Sequence, residues 1–158
     1  MRNFAQMLTV YGVAPSEIVS GGSTLVQFPP LSGRAVGGVI PVDCQVSVLK
    51  LADSALGSTA SWPWKPVDRG YVISSRNVQS SLLKNHLRQV RHLQDSSGCN
   101  RIWPWFDPRY LKLALNTLAG QELVKLFGPV ESFGFADESG VEVFQLRSGL
   151  VHVTQVRR

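Results

Sequence analysis

The densest group of large rings in the chain lies in Arg101–Ile102–Trp103–Pro104–Trp105–Phe106–Asp107–Pro108–Arg109, where three aromatics occupy four positions and Asp-Pro follows at once. Rings at that density need a core, so the run reads as a buried strand. Asp-Pro is a helix-start signal. Asp107 can accept hydrogen bonds from first-turn amides, and Pro108 at the first helical position has no amide to leave unpaired. The expectation is a strand running straight into a helix, with an arginine at each end of the aromatic run. A chain of 158 residues is long enough to bury such a core.

Upstream, Phe4, Met7, Leu8 and Tyr11 fall at helical spacing, which predicts a short helix over residues 1–13, ended by Gly12 and Pro15. Residues 20–41 are rich in Gly, Ser and Pro, and leave Thr24–Phe28 and Val36–Ile40 as short strands or ordered loop. In Val42–Leu51, Val42, Cys44, Val46 and Val48 alternate with Asp43, Gln45 and Ser47, the pattern of a half-buried strand with Cys44 on its apolar face. Residues 52–69 contain Trp62-Pro63-Trp64 and Lys65-Pro66, which rule out a regular helix. Tyr71–Ser74 reads as a strand. A helix then runs from about Arg76 to Leu93, capped by Ser74 or Ser75, with Val78, Leu82, Leu83, His86, Leu87, Val90 and Leu93 as its buried stripe.

After the aromatic run, a helix to about Leu115 buries Leu111 and Leu115, with Leu113 and Ala114 widening the stripe. A second helix, about Gly120 to Phe127, buries Leu123, Val124, Leu126 and Phe127. Gly128 terminates it in a left-handed conformation and Pro129 prevents continuation. The tail alternates Val130–Ala136, Val141–Arg147 and Leu150–Val156 with short Gly-containing turns, a β-meander. The whole reads as α/β (α+β): a mixed sheet from the Val42, Tyr71, Ile102 and C-terminal strands, three helices in the middle of the chain, and a Gly/Pro-rich segment 1–69 preceding a core of 70–158.

The net charge of +5 is concentrated. Between Arg76 and Lys112 there are seven basic residues (Arg76, Lys84, Arg88, Arg91, Arg101, Arg109, Lys112) against Asp95 and Asp107, so this segment holds the entire excess. Such a patch suits an acidic partner or nucleic acid, and equally a solvated helix face. Lys84, Arg88 and Arg91, at i, i+4 and i+7, form one ridge on the helix after Ser75. Trp62 and Trp64 read either as surface anchors for a partner or as cover for the core edge. Arg101 and Arg109 fit a partner carboxylate or an internal acid such as Asp107.

Signs of catalysis are sparse. His86 lies on an apolar helix face, His92 near a helix end, and His152 in the last strand without a sequence neighbour. Cys99 with Asp95 and His92 is the only trio that resembles a thiol nucleophile and base, and no local signature accompanies it. Paired metal-binding cysteines, HExxH and a phosphate loop are all missing from the sequence, so no metal, cofactor or enzymatic activity is expected. No apolar run reaches the ~20 residues of a membrane helix, and the N-terminus lacks a signal-peptide core, so a cytoplasmic protein with free thiols is expected.

Four pieces stand in order: Gly70–Tyr71–Val72–Ile73–Ser74–Ser75, then Leu82–Leu83–Lys84–Asn85–His86–Leu87–Arg88, then Arg101 to Arg109, then Leu126–Phe127–Gly128–Pro129–Val130. In the order and approximate spacing of three of these, the His-Leu-Arg helix, the Arg101-to-Arg109 core and the Phe-Gly-Pro stop, the segment from Gly70 to about Phe135 resembles the domain-of-unknown-function 4123 family, the adaptor chaperones of bacterial type VI secretion. Residues 1–69 match that family poorly, and Trp103-Pro104 stands where it generally has a plain apolar residue. The resemblance implies a noncatalytic loader that holds a toxic effector and helps mount it on the secretion spike protein (VgrG). On the chemistry of the residues, Asp107, Pro108, Gly128 and Pro129 are architectural. Lys84, Arg88, Arg91, Arg101, Arg109, Trp62 and Trp64 are the candidate contacts. The competing reading is a small nucleic-acid-binding protein using the basic face of residues 76–112. A hydrolase built on Cys99 is a third.

Overall fold

A computed structural model describes residues 8–21, 23–29, 44–65, 70–76, 79–94, 98 and 100–157. The strands are β1 (Leu8–Pro15), β2 (Ser23–Phe28), β3 (Val46–Leu51), β4 (Tyr71–Arg76), β5 (His92–Gln94), β6 (Asn100–Ile102), β7 (Ser132–Asp137), β8 (Gly140–Arg147) and β9 (Leu150–Arg157). Helices α1 (Ser80–Val90), α2 (Pro108–Thr117) and α3 (Gly120–Phe127) fall in the middle of the chain. Seven strands form one sheet in the order β2-β3-β1-β4-β7-β8-β9, with every pairing antiparallel, and β5 and β6 form a separate hairpin. The α+β class and the C-terminal meander read from the sequence are present. β1 lies between β3 and β4, so the described strands of residues 1–69 belong to the same sheet as β4 and β7–β9.

Both faces of the sheet are covered over β1, β3, β4, β7 and β8, which carry apolar side chains at odd and even positions alike, whereas β9 is largely exposed. Tyr11, Val13, Val46, Val48, Tyr71, Ile73, Phe133, Phe135 and Phe144 meet the three helices and the aromatic run. Val10, Ala14, Leu49, Val72, Val141 and Val143 meet Ala55, Trp62 and Trp64 on the opposite face. The segment carrying the two tryptophans is built from short 3-10 turns at Asp53–Leu56 and Thr59–Ser61, without a regular α-helix, as its prolines require. At the sheet's centre Ser74 and Ser132, both fully buried, hydrogen-bond to one another across β4 and β7.

Several expectations are corrected. Leu8–Pro15 is a strand rather than part of a helix; residues 1–7 lie outside the described region. Tyr11 and Val13 enter one core layer while Val10 and Ala14 enter the other, a period of two that outweighs the helical spacing of the preceding apolar residues. In the expected Val42–Leu51 strand, Val42 and Asp43 lie outside the described residues, as does the Val36–Ile40 piece; β3 begins at Val46, and Ser47 and Leu49 are buried together with Val46 and Val48. The aromatic run is not a strand. Only Asn100–Ile102 is extended, paired with β5 outside the main sheet, and Trp103–Phe106 turns instead. Pro104 has no amide for a ladder, while its carbonyl accepts from the Asp107 amide at 3.0 Å.

Candidate partner-binding site

Helix α1 starts later than expected, at Ser80. Ser74 and Ser75 lie buried in β4, and Gln79 takes the N-cap position with its carbonyl accepting from the Leu82 and Leu83 amides. Leu83, His86 and Leu87 face the core, with Val90 partly buried on the same stripe. Leu82, expected in that stripe, is exposed. The outward face holds Ser81, Leu82, Asn85, Arg88 and Gln89, with half-buried Lys84 at its border. Arg88 Nη1 donates to Asn85 Oδ1 at 3.0 Å. Among the described residues neither Lys84 nor Arg88 meets a carboxylate.

Arg91 does not continue the expected ridge. It is buried, with its guanidinium 4.8 Å from the centroid of the Phe28 ring on β2. Burial, and then the charge of Arg88, push its pKa below the usual arginine value. Trp62 and Trp64 also lie inside, only 6% and 5% exposed, so they line the core rather than the surface. Trp62 Nε1 donates to the Ala55 carbonyl at 2.7 Å, and the two rings pack against each other at 5.5 Å. Arg109 is mostly exposed, but it pairs with the buried Asp107, Nη2 to Oδ2 at 2.7 Å and Nε to Oδ1 at 3.1 Å. These bonds raise the Arg109 pKa. Asp107 Oδ1 also accepts from the Arg109 amide at 3.0 Å, the cap expected of it, and Pro108 opens α2. Other members of the basic stretch are paired as well: Arg76 with Glu131 at 2.6 Å and Lys112 with Glu142 at 2.7 Å. The backbone of Arg101 lies in β6; its side chain, together with Asp95 and Cys99, lies outside the described residues.

The motif segments set apart in sequence are joined in space. His86 Nε2–H donates to the Leu126 carbonyl at 2.9 Å, which links α1 to the end of α3. The same imidazole lies directly beneath Gly128, where a Cβ would overlap the ring. Gly128 ends α3 at φ 50°, and its amide bonds the Val124 carbonyl at 2.9 Å; after Pro129, the Val130 amide bonds the Phe127 carbonyl at 2.8 Å. Trp103 Nε1 donates to the Val90 carbonyl at the C-terminal end of α1. Tyr71 Oη donates to the Trp105 carbonyl at 3.1 Å, and Phe28 stacks edge-on against Trp105 at 5.4 Å. Thus α1 is tied from beneath at two points one turn apart in its C-terminal half. The buried stripe places His86 in the core, but its partner, a backbone carbonyl 40 positions away, has no local signal in the sequence.

Among the described residues no three His, Cys, Asp or Glu side chains cluster as a metal site requires, and no helix is long and apolar enough to cross a membrane. Comparison with known protein families, with curated protein sequences and with solved structures returns no match. The family resemblance therefore rests on the order, spacing and chemistry of the motif residues.

Proposed function

We propose that the chain is a noncatalytic, cytoplasmic adaptor that binds a toxic effector and helps load it onto the spike protein of a bacterial type VI secretion system. The observation that supports this most is the convergence on α1: the His86–Leu126 bond, the seat of the imidazole under Gly128, and the bond from Trp103 to the Val90 carbonyl tie three of the resembling segments into one body. A helix anchored in this way presents its outer face without further ordering, so little conformational entropy opposes partner capture. On that face Arg88 and Lys84 have no carboxylate among the described residues, and their charge favours an acidic client surface.

The nucleic-acid reading is weaker on the same geometry. Arg91 is buried, and Arg76, Arg109 and Lys112 are paired with acids. If Lys84 and Arg88 alone met phosphates, log K would fall with log salt with a slope of only about −2, characteristic of weak binding. A tagged pull-down from the native bacterium at moderate salt, read by mass spectrometry, tests the proposal. Stoichiometric recovery of a spike protein or a toxin domain is expected. Recovery of nucleic acid without a stoichiometric protein would contradict it.

A further inference from the structure

Strand β9 stands at one end of the seven-stranded sheet, with β8 as its only neighbour among the described strands. It is eight residues long, is paired to β8 without a register shift, and contains neither Pro nor Lys. Leu150 and Val153 are 67% and 51% exposed. Edge strands are normally guarded by short length, bulges, Pro or Lys, and β9 has none of these. Its one strand charge is Arg157, at the end.

The orientation of its backbone follows from the turn before it. Ser148 and Gly149, at φ 52° and 77°, form a two-residue hairpin turn of the mirror type I class. The flanking pair Arg147–Leu150 is therefore hydrogen-bonded. Alternation then turns the amides and carbonyls of Leu150, His152, Thr154 and Val156 toward β8, and those of Val151, Val153, Gln155 and Arg157 outward.

We infer that this edge pairs with the β9 edge of a second copy of the chain, antiparallel about a two-fold axis through Val153, and joins the two sheets into one. In that register Val153 meets Val153 of the second copy, and Val151 meets Gln155. Leu150 covers Val156, His152 faces Thr154, and Arg157 falls opposite Gly149. All of these pairs share a face of the sheet, as antiparallel neighbours must. Three outward residues from each copy exchange about six backbone hydrogen bonds. No cation opposes a cation, and both strongly exposed apolar side chains gain apolar neighbours. Neighbouring registers are poorer. Centring on His152 sets imidazole against imidazole, and centring on Thr154 sets Val151 against Arg157 in both halves. This pairing is independent of the adaptor reading.

Light scattering after gel filtration of the purified chain is expected to give twice the 17.4 kDa chain mass. Val153→Cys is expected to cross-link on mild oxidation, because hydrogen-bonded antiparallel residues lie about 5.5 Å apart at Cα, within disulfide reach. Val151→Cys, which faces Gln155 of the second copy, is expected not to. Native Cys44 and Cys99 are present in both variants, so the difference reports the engineered position. Val153→Pro removes an outward amide but no bond to β8, so it is expected to give a folded monomer, with folding read by circular dichroism. A wild-type chain monomeric up to roughly 100 μM, where even a weak complex assembles, would overturn the inference. So would equal cross-linking of the two cysteine variants, which contradicts the register.

Discussion

His86 and Asp107 show how single residues carry this fold. Asp107 is buried, caps the Arg109 amide at 3.0 Å and holds the Arg109 guanidinium at 2.7 Å. Asp107→Ala is expected to lower unfolding stability by about 1 kcal/mol, the worth of a helix cap. Asp107→Asn is expected to retain most of it, because the Arg109 side chain is largely exposed and its charge is screened by solvent. Denaturant titration of the two variants separates cap from ion pair. For His86, burial lowers the pKa below the ordinary imidazole value, and the bond to the Leu126 carbonyl opposes this less strongly. Folding therefore favours the neutral ring. Its contribution is complete above the unfolded-state value near 6.5 and is lost as pH falls toward the lower folded-state value. The thermal midpoint is expected to drop between pH 7 and pH 5, and to drop less in His86→Gln. An equal drop in both proteins would place the acid sensitivity elsewhere.

Among the elements, the sheet and its far cover depend on glycine at two places. The Trp64 ring lies against Gly12 in β1 and Gly70 just before β4, where an added Cβ at either glycine would overlap the indole. Gly12→Ala is expected to destabilise the chain by about 1–3 kcal/mol, the usual range for overpacking a core. In a Trp64→Leu background the same change is expected to cost much less, a coupling that a double-mutant cycle measures directly. Fully additive costs would mean that the ring moves aside without strain.

These contacts also explain what could be read in advance. The meander, α2, α3 and the Gly128 stop were legible because they are local: alternation, a cap and a terminator each lie within a few residues. β1 was not legible, because its two-sided burial depends on Trp64 and on helices distant in sequence. The aromatic run was misread because ring density signals a core without specifying backbone, and Pro104 allowed a turn that buries all three rings. Leu82, Leu113 and Val124 fit the apolar stripes by spacing but stand exposed, since a helix resting on a sheet buries a narrower arc than its apolar residues span. In the candidate site, Arg88 stands on the outward face of α1 and Lys84 at its border. Arg91, Trp62 and Trp64 are inside, an outcome decided by Phe28 on a remote strand and by the second core layer.

At the scale of the whole molecule, a net charge of +5 overstates the cationic surface available to a partner. Pairing with Glu131, Asp107 and Glu142 engages three cations of the basic stretch, and burial takes Arg91. Among the described side chains of that stretch, Lys84 and Arg88 on α1 are the cations that meet no carboxylate. The most direct test is to capture partners from the native bacterium with the wild-type chain and with Lys84→Glu/Arg88→Glu, after showing equal thermal midpoints for the two proteins. The account predicts that a type VI effector or spike protein is retained by the wild type and lost, by tenfold or more, from the charge-reversed variant. Equal capture by the two would contradict it.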